Sequence, residues 1–355
     1  MQLAHQALAG LLLAAVAAAP AAPPAAAKAK VVILATGGTI AGSAETQTQA
    51  GYTSGQVGVE VLLAAVPQLA TLADVKGEQI SNVGSQDISD AIWLKLAARI
   101  NALQGSSDVD GIVITHGTDT LEETAYFLNL VVRGEKPVVL TAAMRPSTAL
   151  SADGPLNIFD AVAVAADPKA RGRGVLVVAN DDIHGARDIT KTSTTDIQTF
   201  QSLESGLIGV SAYGKNEYFR EPYRLHTKTS ELSLGDAEAL PRVDVLYMCA
   251  DASADLIDAA VAAGAQGLVT AGVGNGNMNA ACLAAVQRAV EKGVVVVRSS
   301  RVTGGFVGRN VEANDDELGT VAAGLLNPAK SRVLLKLALL GTQDPAKIQG
   351  LFDRH

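Results

Sequence analysis

Two patterns of hydrophobic and polar residues alternate along the chain. Short runs dominated by Val, Ile and Leu predict strands at residues 31–35, 75–83, 109–115, 137–141, 174–179, 243–249, 267–271 and 294–298. Longer segments with the apolar spacing of a helix predict helices at residues 57–66, 89–103, 121–132, 157–165, 254–263, 279–291, 330–340 and 345–352. Unbroken apolar strands that alternate with helices are typical of a parallel sheet covered on both faces. The sequence therefore predicts an α/β fold.

The alternation weakens between residues 181 and 242, where Thr, Ser, Gly and charged residues predominate. A chain of 355 residues is long for one domain and sufficient for two. We expect a larger N-terminal domain over residues 28–215, with a mostly parallel sheet and helices on both faces. A linker over residues 216–241 and a smaller α/β domain over residues 242–355 would follow.

The first residues have the features of a secretory signal peptide. Residues 8–19 are apolar, and small residues follow as far as Lys28. Pro20 interrupts this stretch before it reaches the roughly 20 residues of a membrane-spanning helix, although no Lys or Arg precedes it. We expect residues 1–27 to be removed and the mature protein to be periplasmic or secreted, without a membrane anchor.

Composition narrows the possible partners. The net charge of −8 provides no basic surface for nucleic acid or for an anionic membrane. Cys249 lies in a predicted strand and Cys282 in a predicted helix. We expect both to be buried free thiols, because their spacing matches no metal site.

Two predicted strands end in turns that carry threonine. The first strand ends in TGGT, which contains Thr39, and a later strand ends in HGTDT, which contains Thr118. Open α/β sheets bind ligands at the carboxyl ends of their strands, and a threonine hydroxyl becomes a nucleophile when a base takes its proton. We expect Thr39 to carry the chemistry, although both threonines would equally serve to cap tight turns. The polar segment over residues 43–56 has the length of a lid.

Charged residues near these turns offer ways to activate a threonine. Asp119 directly follows Thr118, and Lys191 lies in a loop rich in hydroxyl groups. A desolvated lysine is a base at neutral pH, so these three residues form a chemically sensible relay. The structural alternatives are a capping box at the start of the next helix, formed by Asp119 with Glu122 or by Thr120 with Glu123, and a solvated Lys191.

Two other features have weaker functional interpretations. His116 ends an apolar strand, where a hydrogen-bonded structural histidine is more common than a general base, and no Ser-His-Asp arrangement accompanies it. Residues 272–277, GVGNGN, lack the glycine spacing of the dinucleotide-binding fingerprint. We therefore expect no nucleotide cofactor, and Asn277 would contact a ligand or a neighbouring subunit instead.

From about residue 30 onward, several ordered strings together resemble a known family. They are ILATGGTIAG, VGSQD, VITHGTDTLEETAYFL, AAMRPSTALSADGPLN, RDITKTSTTD, AGVGNGN and VRSSRV. The chain resembles the bacterial type II L-asparaginases, periplasmic enzymes of the asparaginase/glutaminase family. The resemblance implies a homotetramer built as two tight dimers. It also implies hydrolysis of L-asparagine to L-aspartate and ammonia through an acyl-enzyme, with no metal or cofactor.

The resemblance further implies roles in the chemistry. Thr39 resembles the primary nucleophile, and Tyr52, in the polar segment, resembles its hydroxyl partner. Thr118, Asp119 and Lys191 resemble a second threonine and its relay.

Substrate binding is implied by the same comparison. Ser85 and Gln86 resemble the pair that holds the α-carboxylate, and Asp119 resembles the ligand of the α-ammonium. Asn277 and Glu312 resemble residues that reach the site from a neighbouring subunit, with a departure in spacing just after Glu312.

The choice between L-asparagine and L-glutamine depends on a single methylene group, which contributes about 1–3 kcal/mol of discrimination. Gln86 and Asn277 resemble asparagine-preferring members, whereas residues 304–310 resemble dual-specificity relatives. We expect asparagine to be preferred and glutamine to react more slowly.

Three alternatives stay open from the sequence. A periplasmic amino-acid-binding protein without catalysis would have the same leader and two α/β domains, but it would not need two hydroxyl-bearing strand ends. Another amide or ester hydrolase would keep the nucleophile without the paired charge sites. A dual-specificity glutaminase-asparaginase is the alternative within the resembled family.

Overall fold

The structure is a computed structural model that describes residues 27–48 and 51–355. The predicted leader, residues 1–27, therefore lies outside the described residues except for its last position. No helix in the described part of the chain is long and apolar enough to cross a membrane.

The described residues of the N-terminal part form ten strands. They are β1 (Ala29–Gly37), β2 (Ala73–Val83), β3 (Gly111–Thr115), β4 (Val138–Thr141), β5 (Val175–Ala179), β6 (Asp182–Gly185), β7 (Thr190–Lys191), β8 (Phe200–Gln201), β9 (Gly209–Ala212) and β10 (Lys215–Tyr218). Eight of them form one sheet in the order β10-β9-β6-β5-β4-β3-β1-β2, and β7 pairs with β8 in a separate ribbon. Five neighbouring strands of this sheet, β5, β4, β3, β1 and β2, are parallel to one another. At the other end of the sheet, β6, β9 and β10 each pair with their neighbours in antiparallel orientation.

Helices cover both faces of this sheet, as the sequence predicts. They are α1 (Val59–Ala64), α2 (Leu69–Leu72), α3 (Asp90–Gln104), α4 (Leu121–Val131) and α5 (Gly154–Ala166). Val32 and Leu34 of β1 pack in the core that contains α3 and α4, whereas Val31 and Ile33 pack on the opposite face in the core that contains α5. Burial on both faces explains why β1 has no polar alternation.

The C-terminal part is a smaller parallel sheet with its own helices. Its elements are β11 (Val243–Tyr247), α6 (Asp255–Ala262), β12 (Gly267–Gly272), α7 (Ala280–Glu291), β13 (Val295–Ser300), α8 (Asp315–Leu318), β14 (Val321–Ala322), α9 (Pro328–Ala338) and α10 (Pro345–Arg354). The strand order is β11-β12-β13-β14, and every pair is parallel. Helix α9 packs against this sheet and also against α4 of the N-terminal part.

Several expectations need correction. The sequence did not predict β6 to β10, β14, α2 and α8, which have between two and four residues each. Cys249 is exposed, so the prediction that it is buried is wrong. It continues the alternate positions Val245 and Tyr247 of β11, which are exposed as well, whereas the neighbouring Met248 is buried. Cys282 is buried in α7, and both thiols are free.

Candidate active site

The turns that follow β1, β2 and β3 meet at the carboxyl ends of these strands, and glycines lie where the turns touch. A Cβ on Gly38, whose φ is +81°, would lie 2.3 Å from the backbone nitrogen of Gly117. A Cβ on Gly117 would lie 2.7 Å from Oγ of Ser85. Only glycine permits so close an approach of the backbones. The packing brings together the turns that carry Thr39, Thr118 and Ser85.

Thr39 and Tyr52 form a hydroxyl pair. Oγ1 of Thr39 lies 2.6 Å from Oη of Tyr52. Thr39 is buried, whereas Tyr52 is 39% exposed. The segment that carries Tyr52 folds back over the β1 turn, because Ser43 pairs with Thr53 in an antiparallel bridge. Through Tyr52, the segment predicted as a lid therefore contacts Thr39.

Thr118, Lys191 and Asp119 also come together. Nζ of Lys191 lies 2.8 Å from Oγ1 of Thr118 and 2.6 Å from Oδ1 of Asp119. The Lys191 side chain is 19% exposed and that of Asp119 is 59% exposed. A lysine in contact with a threonine hydroxyl and a carboxylate can exchange a proton with that hydroxyl.

The predicted capping box at α4 is wrong. Thr120 is the N-cap residue, but its hydroxyl donates to the carbonyl of Ser85 at 2.7 Å instead of capping the helix. The carboxylate of Glu122 accepts a hydrogen bond from the backbone nitrogen of Lys191. Tertiary contacts have therefore replaced the local cap.

Ser85 and Gln86 differ in how far they belong to this cluster. Ser85 is buried, and its Oγ accepts a hydrogen bond from the backbone nitrogen of Asp119 at 3.2 Å. Gln86 is exposed, and its amide donates to the carboxylate of Asp87 at 3.3 Å. Ser85 thus links the turn after β2 to the turn of Thr118 and Asp119, while Gln86 is exposed to solvent.

Asn277 and Glu312 lie in the C-terminal part and contact each other. The amide of Asn277 donates to the carboxylate of Glu312. Within the described residues of this chain, neither side chain forms a hydrogen bond with Thr39 or Thr118.

Arg298 is a residue that the sequence reasoning missed. It is fully buried in β13, and Nε and Nη2 each lie 2.7 Å from the carboxylate of Asp315. The same guanidinium donates to the carbonyls of Gly276 and Gly308. It therefore holds the loop of Asn277 beside the loop that leads to Glu312. An arginine at the end of the apolar run VVVV was the available signal.

The Arg298 contacts also decide the charge of Asp315. Burial by itself raises the pKa of that carboxyl group, but hydrogen bonds from Arg298 and Thr320 outweigh burial and lower its pKa below the ordinary value. The pair is thus ionised and fully hydrogen-bonded, as a buried ion pair must be.

His116 has structural contacts. Its Nδ1 lies 2.8 Å from the carbonyl of Gly117 and its Nε2 lies 3.0 Å from Oγ1 of Thr124. Complete burial lowers the pKa of His116 to about 4, so the ring is neutral at ordinary pH. Both nitrogens are occupied, which leaves neither free to act as a base.

In the described part of the chain, no group of three or more His, Cys, Asp or Glu side chains is placed to hold a metal ion. The chemistry that the residues can support is acyl transfer, because the hydroxyls of Thr39 and Thr118 each lie within hydrogen-bond distance of a group that can exchange protons.

The Asparaginase, N-terminal family matches residues 30–224, and the Glutaminase/Asparaginase C-terminal domain matches residues 242–352. The chain belongs to the asparaginase family. This asparaginase-family chain is 52% identical over 323 residues to a protein of Haemophilus influenzae named "Probable L-asparaginase periplasmic", covering 91% of this chain and 92% of that protein. It is 50% identical over 325 residues to L-asparaginase 2 of Escherichia coli, covering 92% and 93%. It is 46% identical over 326 residues to the glutaminase-asparaginase of Pseudomonas fluorescens biotype A, covering 91% and 90%.

Membership of the asparaginase family confirms two predictions. The α/β architecture, with a larger and a smaller domain, matches the two family regions. The protein is an amidohydrolase, which favours catalysis over an amino-acid-binding role.

Proposed function

We propose that this enzyme hydrolyses L-asparagine to L-aspartate and ammonia through an acyl-enzyme on Thr39, and L-glutamine more slowly. The observation that carries the proposal is the presence, at adjacent strand ends, of two threonine hydroxyls that each contact the polar end of a second side chain. Thr39 contacts Tyr52 at 2.6 Å, and Thr118 contacts Lys191 at 2.8 Å. An amino-acid-binding protein would need neither pair.

In the proposed reaction, Oγ1 of Thr39 attacks the side-chain amide carbon, and Tyr52 accepts its proton. The carbonyl π electrons move to the oxygen, where backbone donors of the turns stabilise the charge. When the C–N bond breaks, the proton returns to the leaving nitrogen and ammonia departs. Water then attacks the ester, the C–O bond to Thr39 breaks, and the hydroxyl regains its proton. Thr118, Lys191 and Asp119 move protons on the other side of the substrate.

The proposed binding site separates the two charges of an α-amino acid. The carboxylate of Asp119 would pair with the α-ammonium, for which its charge and exposure are suited. Ser85 and Gln86 would hold the α-carboxylate from the adjacent turn. Gln86 and Asn277 support a preference for asparagine. The relatives at 50–52% identity are named L-asparaginases, and the one at 46% is named a glutaminase-asparaginase.

We further propose a homotetramer in which Asn277 and Glu312 complete the site of a neighbouring subunit. In support, the two side chains contact each other at the surface rather than their own chain's threonines.

We propose that residues 1–27 direct the chain to the periplasm or the exterior. The name of the Haemophilus influenzae relative, which includes "periplasmic", supports this location. We also propose a domain of residues 28–215, a linker of 216–241 and a domain of 242–355. The family matches over residues 30–224 and 242–352 support the division into two domains.

The test compares the wild-type enzyme with Thr39→Ala. We expect the wild type to release ammonia from asparagine and, after acid quenching, to carry an aspartyl group on the peptide that contains Thr39. Thr39→Ala should keep its assembly, lose the adduct and lose activity by about 1,000-fold or more. Near-normal turnover in the variant would overturn the assignment. Equal or higher kcat/KM on glutamine would overturn the preference, and higher activity on uncharged amides would favour a different hydrolase.

A further inference from the structure

Lys191 lies on a strand that cannot fix its position alone. Strand β7 has only two residues, Thr190 and Lys191, and it pairs only with the equally short β8. A ribbon of this size is not independently stable. The position of Lys191 therefore depends on contacts outside the ribbon.

The carboxylate of Glu122 supplies these contacts to β7. Its Oε2 accepts a hydrogen bond from the backbone nitrogen of Lys191 at 3.0 Å and from Oγ1 of Thr190 at 2.6 Å. Hydrogen bonds to an ionised acceptor are about twice as strong as neutral ones. Glu122 thus binds both residues of the strand.

Glu122 also belongs to the element that carries the rest of the relay. It is the second residue of α4, which follows directly on the turn of Thr118 and Asp119. The start of α4 and the turn directly before it therefore carry Thr118, Asp119 and the carboxylate that binds the backbone of Lys191. Any movement of β7 relative to α4 changes the 2.8 Å distance between Lys191 and Thr118.

The C-terminal domain completes this anchor through Asn327. Its Nδ2 donates to Oε1 of Glu122 and to Oγ1 of Thr190, both at 2.9 Å. Its Oδ1 caps α9 by accepting from the backbone nitrogen of Lys330 at 2.9 Å. Nζ of the buried Lys330 donates to the carbonyl of Ile189, the residue before β7.

We propose that Glu122 is a positioning residue that, together with Asn327, holds Lys191 against Thr118 and makes the relay depend on the C-terminal domain of the same chain. The inference rests on the proposed function, because it assigns a supporting role to the relay of Thr118, Lys191 and Asp119. Glu122 contacts neither nucleophile and acts only through the placement of Lys191.

Glu123 provides a matched control in the adjacent position. It lies in the same helix turn and forms an ion pair with Arg332 of α9 at 3.5 Å, so it also bridges the two domains. It makes no hydrogen bond to β7 within the described residues. A merely structural role of the domain contact would therefore affect both glutamates alike.

The experiment compares Glu122→Gln with Glu123→Gln in the full-length enzyme. Glutamine keeps the shape but loses one acceptor and turns an N–H₂ group toward hydrogen-bond donors. For Glu122→Gln we expect kcat on asparagine to fall about 10- to 100-fold with KM nearly unchanged, because a displaced relay affects the transition state more than binding. We also expect the pH dependence of kcat to shift. Glu123→Gln should keep kcat and its pH profile close to the wild type.

Asn327→Asp is the second variant. Aspartate keeps the cap on α9 but loses both donated hydrogen bonds and places a carboxylate beside that of Glu122. We therefore expect kcat to fall with KM little changed, and the thermal midpoint to fall because the two charges repel. This variant decides the question if Glu122→Gln fails to fold. Equal losses in Glu122→Gln and Glu123→Gln, or normal kcat in Asn327→Asp, would overturn the inference.

Lys191→Met separates this inference from the proposed function. A large loss in Lys191→Met with normal kcat in Glu122→Gln would overturn only the positioning role. Normal turnover in Lys191→Met would overturn the relay itself.

Discussion

At the residue scale, the groups that we propose to react occur as pairs whose members differ in exposure. The hydroxyl of Thr39 is buried, while its partner Tyr52 is 39% exposed on the segment above it. Lys191 is similarly more buried than Asp119. Each pair thus has one more buried member and one member in contact with the solvent side. Such an arrangement suits a site that must hold a nucleophile still while substrate enters.

Two buried histidines make the stability of the fold depend on pH. Burial lowers the pKa of His116 and of His184 to about 4. Between pH 4 and 6.5 the unfolded chain therefore binds more protons at these positions than the native protein does. The free energy of unfolding should fall as the pH drops through this window, by up to about 1.4 kcal/mol per pH unit for each histidine.

Buried carboxyl groups oppose this trend, because burial raises the pKa of Glu123, Asp182 and Asp160, and the shift of Asp160 is the largest of the three. Burial raises the pKa of Asp160 to about 6, so the native protein holds this proton more tightly, and that contribution is lost as the pH rises through 6. We expect the two histidines to outweigh these carboxyl groups, giving a lower thermal midpoint at pH 4.5 than at pH 7 at a fixed protein concentration. His184→Gln should flatten this dependence. An unchanged pH slope in His184→Gln would contradict the assignment.

At the scale of elements, the site depends on glycine contacts between turns. We expect Gly117→Ala to push the Ser85 and Gly38 turns apart, because its Cβ would lie 2.7 Å from Oγ of Ser85 and 3.0 Å from Cα of Gly38. The displacement should lower kcat about 10- to 100-fold and destabilise the fold by about 1–3 kcal/mol. Steady-state kinetics and thermal midpoints measure the two effects.

Gly105→Ala is the control for this substitution. Gly105 has a φ of −81°, and its added Cβ would meet only the carbonyl oxygen of Ala102, at 3.6 Å. We expect kcat to stay at the wild-type value and stability to be unchanged or slightly higher. If Gly117→Ala behaved like Gly105→Ala, the close packing of the turns would not matter for catalysis.

The sequence predicts those elements whose burial in the fold is reflected in their pattern of apolar residues. Strands β1 and β3 are buried on both faces, and each is an unbroken apolar run. Strands β7 and β8 have two residues each and polar sequences, so their pairing is set by tertiary contacts that no local pattern encodes. Their absence from the prediction has a physical cause.

The same limit applies to the site. Thr39 and Thr118 were singled out because strand ends in a parallel sheet converge on one edge. The contact of Lys191 with Thr118 joins residues 73 positions apart, and residue chemistry alone suggested only that such a relay was sensible. For Glu122 the local pattern of a capping box was misleading, because the carboxylate binds β7 instead. Local propensity fails where a distant backbone competes for the same side chain.

At the scale of the whole molecule, the two domains share one hydrophobic core. The largest cluster of buried side chains includes Val32 and Ile112 of the N-terminal sheet together with Leu334 and Phe352 of the C-terminal helices. Eight of the residues of α9 are buried, including both Lys330 and Lys336. A helix buried on so much of its surface must have neighbours on two sides, and α9 has the C-terminal sheet on one side and α4 on the other.

This shared core predicts that the domains unfold together. Separation would expose the apolar contact of α9 with α4 and would break the ion pair of Lys336 with Asp90, whose atoms lie 2.6 Å apart. Burial lowers the pKa of Lys336, and the hydrogen bond to Asp90 opposes that shift. We expect a single calorimetric transition, in which the calorimetric enthalpy of unfolding equals the van't Hoff enthalpy. We also expect residues 242–355, expressed alone, to lack a cooperative transition. Two resolved transitions in the full chain, or a sharply melting C-terminal fragment, would contradict this prediction. Either would also weaken the dependence of Lys191 on Asn327, because that contact requires the domains to stay docked.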